Sequence, residues 1–139
     1  MSVGLLVITH EHLAENLVAA AREMLGSERL RMEALSVAHQ DDMDTVQARA
    51  RSCCRILDQG DGVLVLTDVY GSTPSNIACQ LCKKLDSRVI AGVNLPMMIR
   101  VLNYPQLGLD ELAEKALSGG RDGIMVCNAG AFVPTRQGV

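Results

Sequence analysis

Two apolar runs end in groups that can react. Val3-Gly4-Leu5-Leu6-Val7-Ile8 gives way to Thr9-His10-Glu11-His12, and Val63-Leu64-Val65-Leu66-Thr67 gives way to Asp68. A neutral imidazole nitrogen is a nucleophile at physiological pH and can hold and pass on a phosphoryl group. A carboxylate bonded to the other ring nitrogen fixes the tautomer and offsets the positive charge that develops during transfer. Asp68 is placed for that role beside His10. Downstream, Gly71-Ser72-Thr73-Pro74 opens a helical pattern. The first amides of a helix, with its dipole, make an anion site. The Ser72 and Thr73 hydroxyls are candidate donors to phosphoryl oxygens, and Gly71 lets the backbone approach closely. Thr9 and Asn94, also at strand ends, are supporting candidates. Phosphoryl transfer rests on positioning and charge stabilisation, so this set calls for no metal or other cofactor.

Spacing alone also allows plainer readings. His10 reads equally as a polar loop residue, and Asp68 as a cap of the turn before the helix. Thr73 followed by Pro74 reads as a hydroxyl cap with proline at the first helical position. Tyr70 reads as a loop anchor or a partner contact, while His12 and His39 read as exposed residues. No glycine-rich dinucleotide or P-loop pattern follows the first apolar run.

The elements that must position these groups alternate. Unbroken apolar runs at 3–9 and 63–67 read as strands buried on both faces, and 32–37 and 88–93 read as two further strands. A helix over 12–25 shows Leu13, Leu17, Ala20, Ala21 and Met24 at helical spacing, closed by Gly26. Asp41 or Asp42 caps a second helix carried by Met43, Val46, Ala50, Cys53, Cys54 and Leu57, and Gly60-Asp61-Gly62 breaks it. The third helix turns Ile77, Leu81 and Leu85 inward. A short helix runs from Asn94-Leu95-Pro96 to Leu102, and another from 109 to 117, ended by Gly119-Gly120. Residues 123–127 read as a short last strand, and 128–139 as a loose tail beyond a single domain of 1–127. The expected fold is α/β: a doubly wound, mostly parallel sheet of four strands plus that short C-terminal one, in three α/β/α layers. If the first, third and fourth strands are neighbours, Thr9-His10, Asp68 and Asn94 meet at one lip of the sheet. Ligands of open α/β sheets bind there.

Composition narrows the function classes. A net charge of -3 without a Lys/Arg block argues against nucleic acid as a partner. No apolar stretch approaches the roughly 18–20 residues of a membrane span. The opening run is too short, and lacks the basic flank, for a secretory signal. Five cysteines, an odd count, fit reduced thiols in the cytoplasm. Cys79 and Cys82 read as small residues on a buried helix face rather than as a metal or redox pair.

Several motifs together carry a resemblance. They are Ile8-Thr9-His10, Gly62 to Asp68 with Gly71-Ser72-Thr73-Pro74-Ser75-Asn76, Ile90 to Met97, and Gly119-Gly120-Arg121-Asp122-Gly123. Over about residues 3–127 the chain resembles the mannose-type (mannose/fructose) IIA family of the bacterial phosphoenolpyruvate-dependent sugar phosphotransferase system. The resemblance implies that His10 is phosphorylated by the carrier protein HPr and passes the group to a IIB component. It assigns Asp68 to the aspartate beside that histidine and Thr73 to a hydroxyl near the phosphoryl group. Ser72 stands where many members carry a second glycine. The family is cytoplasmic, has a doubly wound sheet, and forms a homodimer that exchanges a C-terminal strand. No IIB segment follows within the 139 residues, which leaves sugar transport and regulation both open. The same chemistry at His10 also suits the phosphotransfer subunit of dihydroxyacetone kinase, or a binding module switched by phosphorylation.

Overall fold

The structure, a computed structural model, describes residues 2–81, 83 and 86–127. The elements are β1 (Gly4–His10), α1 (Leu13–Leu25), β2 (Met32–Val37), α2 (Met43–Leu57), β3 (Val63–Thr67), α3 (Thr73–Leu81), β4 (Ser87–Ala91), α4 (Leu95–Leu102) and α5 (Leu109–Asp122). All three strand pairings are parallel, in the order β2-β1-β3-β4. The expected doubly wound sheet in three layers is therefore the observed one. β1 and β3 lie at its centre, and every residue of β3 is buried. That is why both runs are apolar without alternation.

Alternate strand residues feed two cores. Leu5, Val7, Leu64 and Leu66 pack under α1, α4 and α5, while Leu6, Ile8, Val63 and Val65 pack under α2 and α3. The chain crosses from β1 to β2 on one side and returns to β3 on the other. The switch point consequently falls between β1 and β3, at their C-terminal ends. Asp42 caps α2 as anticipated, its side chain accepting from the Thr45 amide.

Several expectations need correction. α1 buries Ala14, Val18 and Ala21, whereas Leu13 and Met24 are exposed. Small side chains face the sheet because the helix packs closely on it. β4 ends at Ala91, two residues early, where Gly92 turns the chain at φ 88°. Residues 124–127 pair in no strand among the described residues. Cys79 is exposed, not packed. Cys82, Leu85 and the tail 128–139 lie outside the described residues.

The largest correction concerns Gly119-Gly120. α5 runs straight through them to Asp122, because they serve packing rather than termination. A Cβ on Gly119 would collide with the Arg100 side chain, and one on Gly123 with the Pro96 ring. A Cβ on Gly120 would stand 2.8 Å from Met97 Cε. These glycines let α5 lie directly on α4, whose cap Asn94 also donates from Nδ2 to the Gly120 carbonyl at 3.1 Å. Replacing Gly119 with Ala is expected to cost about 1–3 kcal/mol through overpacking. Chemical denaturation should show a lower midpoint with an unchanged slope. An unaltered midpoint would refute the close-packing role.

Candidate active site

His10 and Asp68 meet at the switch point. β1 continues two residues past its last pairing with β3, so His10 stands at the lip, on the face shared with Ile8. The β3 chain leaves the sheet at Asp68 and brings its carboxylate across. Asp68 Oδ2 accepts from the His10 backbone amide at 3.0 Å and lies 2.8 Å from ring Nδ1. Its Oδ1 accepts from the Val69 amide at 2.9 Å. The carboxylate is mostly covered, with 11% of its side chain exposed, while half of the His10 side chain (50%) faces solvent.

These contacts set protonation. Desolvation pushes the Asp68 pKa up, but the His10 amide, the His10 ring and the Val69 amide stabilise the charged form and win. The net result lies below the ordinary value of 3.8, so the carboxylate is ionised at neutral pH. An ionised carboxylate can only accept a hydrogen bond. Nδ1 therefore carries the hydrogen, and the Nε2 lone pair remains for nucleophilic attack.

Neighbouring residues hold this geometry. Thr9 is fully buried; its hydroxyl donates to the His10 carbonyl at 3.1 Å and accepts from the Ala14 amide at 2.7 Å. It thus ties the lip to the first turn of α1. Glu11 adopts φ 48°, the left-handed region, while its amide still donates to the Val37 carbonyl of β2 at 3.0 Å. Backbone strain of this kind concentrates at functional sites, and no sequence signal pointed to it.

The β3–α3 turn forms the third side. Gly71 takes φ 85°, and its amide donates to Ser75 Oγ at 3.2 Å. The Ser72 hydroxyl donates to the Val69 carbonyl at 2.6 Å, so it braces the turn. Thr73 is exposed, and among the described residues its hydroxyl makes no hydrogen bond, contrary to the expected capping role. Thr73 is itself the first helical residue, with Pro74 second. Its hydroxyl is left available to a ligand. Asn94 does not join the site: its oxygen caps α4 through the Met97 amide at 2.9 Å, and its Nδ2 holds α5. Tyr70 anchors nothing and is 82% exposed beside Val69. His12 and His39 are exposed, His12 lying 3.6 Å from Glu15. No group of His, Cys, Asp and Glu among the described residues could hold a metal ion. No helix of the described residues is long and apolar enough to cross a membrane.

Comparison with known proteins covers both sequence and shape. The chain is 30% identical over 132 residues to the PTS system mannose-specific EIIAB component of Escherichia coli K12, covering 93% of this chain and 41% of that protein. It spans about two fifths of the curated relatives it matches first. It is 29% identical over 91 residues, 63% of this chain and 62% of the relative, to the PTS system fructose-specific EIIA component of Bacillus subtilis. In shape it resembles the mannose/sorbose specific IIA subunit of the phosphotransferase system from Enterococcus faecalis. That match has a TM-score of 0.83 and 26% identity, covering 96% of this chain and 100% of that one. The family model described as PTS system fructose IIA component matches residues 4–117, a span that takes in β1, β3 and the whole His10–Asp68 lip. The protein therefore belongs to this IIA family of phosphotransferase-system components.

Proposed function

We propose that the chain is a phosphocarrier of the phosphoenolpyruvate-dependent phosphotransferase system, with His10 as the phosphorylated residue. It takes the group from phospho-HPr and gives it to a IIB component, working in the cytoplasm. The observation that carries this reading is the 2.8 Å contact of Asp68 with His10 Nδ1, which leaves Nε2 free at an exposed lip. In the forward step, Nε2 attacks phosphorus and the P–N bond of the donor breaks. The donor ring keeps the bond's electron pair and departs as neutral imidazole. The His10 ring becomes a phosphorylated imidazolium, whose charge Asp68 offsets. The α3 N-terminus and the Thr73 hydroxyl face the incoming oxygens. Donation to a IIB component is the same step reversed onto a new acceptor.

The lip suits a protein partner. The loops at the strand ends (11–12, 38–42, 68–72 and 92–94) carry Glu11, Asp41, Asp42 and Asp68 but no Lys or Arg. Val69 (60% exposed) and Tyr70 supply apolar area beside them. A basic face on the donor complements this arrangement. The reading also includes a homodimer, supported by the exposed apolar run Ile124-Met125-Val126 and the open edge of β4 among the described residues.

Incubation with phosphoenolpyruvate, enzyme I and HPr should label the wild-type protein with an acid-labile phosphate. His10→Ala should take up none, and labelling of that variant at the wild-type level would reject the assignment. Adding either IIB or a nucleotide-loaded kinase subunit identifies the acceptor, and drainage by the nucleotide alone would reject IIB. Asp68→Asn, which keeps the shape but loses the charge, should slow phosphorylation about 10–100-fold; an unchanged rate would show that the carboxylate is only structural. Tyr70→Ala should raise KM for phospho-HPr and leave kcat nearly unchanged, and added salt should raise KM further. A salt-independent KM would count against an acidic docking lip.

A further inference from the structure

Thr67 is buried completely, and its Oγ1 has no hydrogen-bond partner among the described residues. A buried hydroxyl without a partner costs stability that valine, its apolar isostere, would not. An orphaned group of this kind calls for an explanation. Thr67 pairs with Ile8 across β1–β3, one layer beneath His10. It follows Val63 and Val65 on the face covered by α2 and α3. α3 returns antiparallel to β3, so its first turn lies level with the end of that strand. Ser75, in that turn, is buried as well; its Oγ accepts from the Gly71 amide and donates to nothing among the described residues.

We infer that Thr67 is a positioning residue for phosphoryl transfer, held unpaired in the resting protein and paired once His10 carries phosphate. The inference rests on the phosphocarrier reading. In the resting state the β3–α3 turn is closed on itself, with the Gly71 N–H turned onto Ser75 and the Ser72 hydroxyl onto Val69. A phosphoryl oxygen at Nε2 competes for the Gly71 N–H. When that donor swings outward, Ser75 is released from the rotamer in which its Oγ accepts from Gly71 and its side chain turns toward β3. The Ser75 hydroxyl then donates to Thr67 Oγ1. Two buried hydroxyls, one of them unpaired at rest, thus become one pair as the turn opens onto the phosphate. The resting protein bears the cost of the orphan, and the phosphorylated state is favoured by its relief.

Thr67→Val tests this with two opposed signs. Its thermal midpoint should equal or exceed that of wild type. Its kcat for labelling by phospho-HPr should fall about tenfold, the worth of one ordinary hydrogen bond made only in the transition state and product. KM should stay unchanged, and Thr67→Ser should restore kcat. Ser75→Ala should show a comparable loss, and the double variant Thr67→Val/Ser75→Ala should be no slower than either single one. A lower midpoint for Thr67→Val, an unaffected kcat, or additive losses in the double variant would each overturn the inference while wild-type labelling stands. Absence of labelling in the wild type would instead overturn the phosphocarrier reading, and this inference with it.

Discussion

One carboxylate oxygen holds the lip of this protein together. Asp68 Oδ2 receives both the backbone amide and the ring nitrogen of the same histidine, at 3.0 and 2.8 Å. The first bond extends the β1–β3 ladder beyond its last backbone pair. The second fixes the plane and tautomer of the ring. A single side chain therefore decides which way His10 points and which nitrogen is free. The contact requires that β1 and β3 be adjacent and that both chains leave the sheet at the same level. Adjacency of these two non-consecutive strands follows from the reversal of winding after β2, so topology and site geometry are one constraint.

The cost of that constraint is spread over the surrounding turns. A largely covered carboxylate is tolerable because three N–H groups address it. The left-handed Glu11 is tolerable because its amide is pinned to Val37 of β2. Thr9 sits on the opposite face of β1 from His10, and its hydroxyl satisfies the His10 carbonyl and the Ala14 amide together. Each group at the lip is thus fixed from a different element, and Asp68 keeps two backbone amides, those of His10 and Val69, besides the ring. That leaves the imidazole half exposed and free to exchange partners.

Much of this could be read in the sequence, for a physical reason. Central parallel strands are buried on both faces, so their apolar runs are unbroken, and the polar residue that ends each run marks the lip. His10 and Asp68 were found that way. What could not be read depends on distances between elements. Gly119-Gly120 carries a stop signal when taken alone, but inside α5 it is a contact surface for α4. The sheet-facing side of α1 is set by how closely the helix approaches, so Ala14 and Val18 displace the larger Leu13 and Met24 from the core. Residue type likewise says nothing about which hydroxyls are already engaged. Among the described residues, the Ser72 hydroxyl and the Asn94 amide are occupied by local bonds, whereas the Thr73 and Thr67 hydroxyls have no partner.

A group that carries phosphate between two proteins must bind it strongly enough to take it and weakly enough to give it up. The electrostatics of the lip suit that intermediate position. Asp68 stabilises a positive ring, which favours attack, yet its own charge lies near the incoming dianion and disfavours deep binding. The α3 N-terminus pulls the other way, and its dipole acts only within the first turn. Neither Lys nor Arg stands in the loops around the ring to trap the phosphoryl group. An added arginine there would hold the product through a bidentate pair and would turn a carrier into a sink. In the proposed phosphocarrier, the absence of fixed cations from an acidic lip is thus part of the chemistry: the counter-charge arrives with the partner and leaves with it.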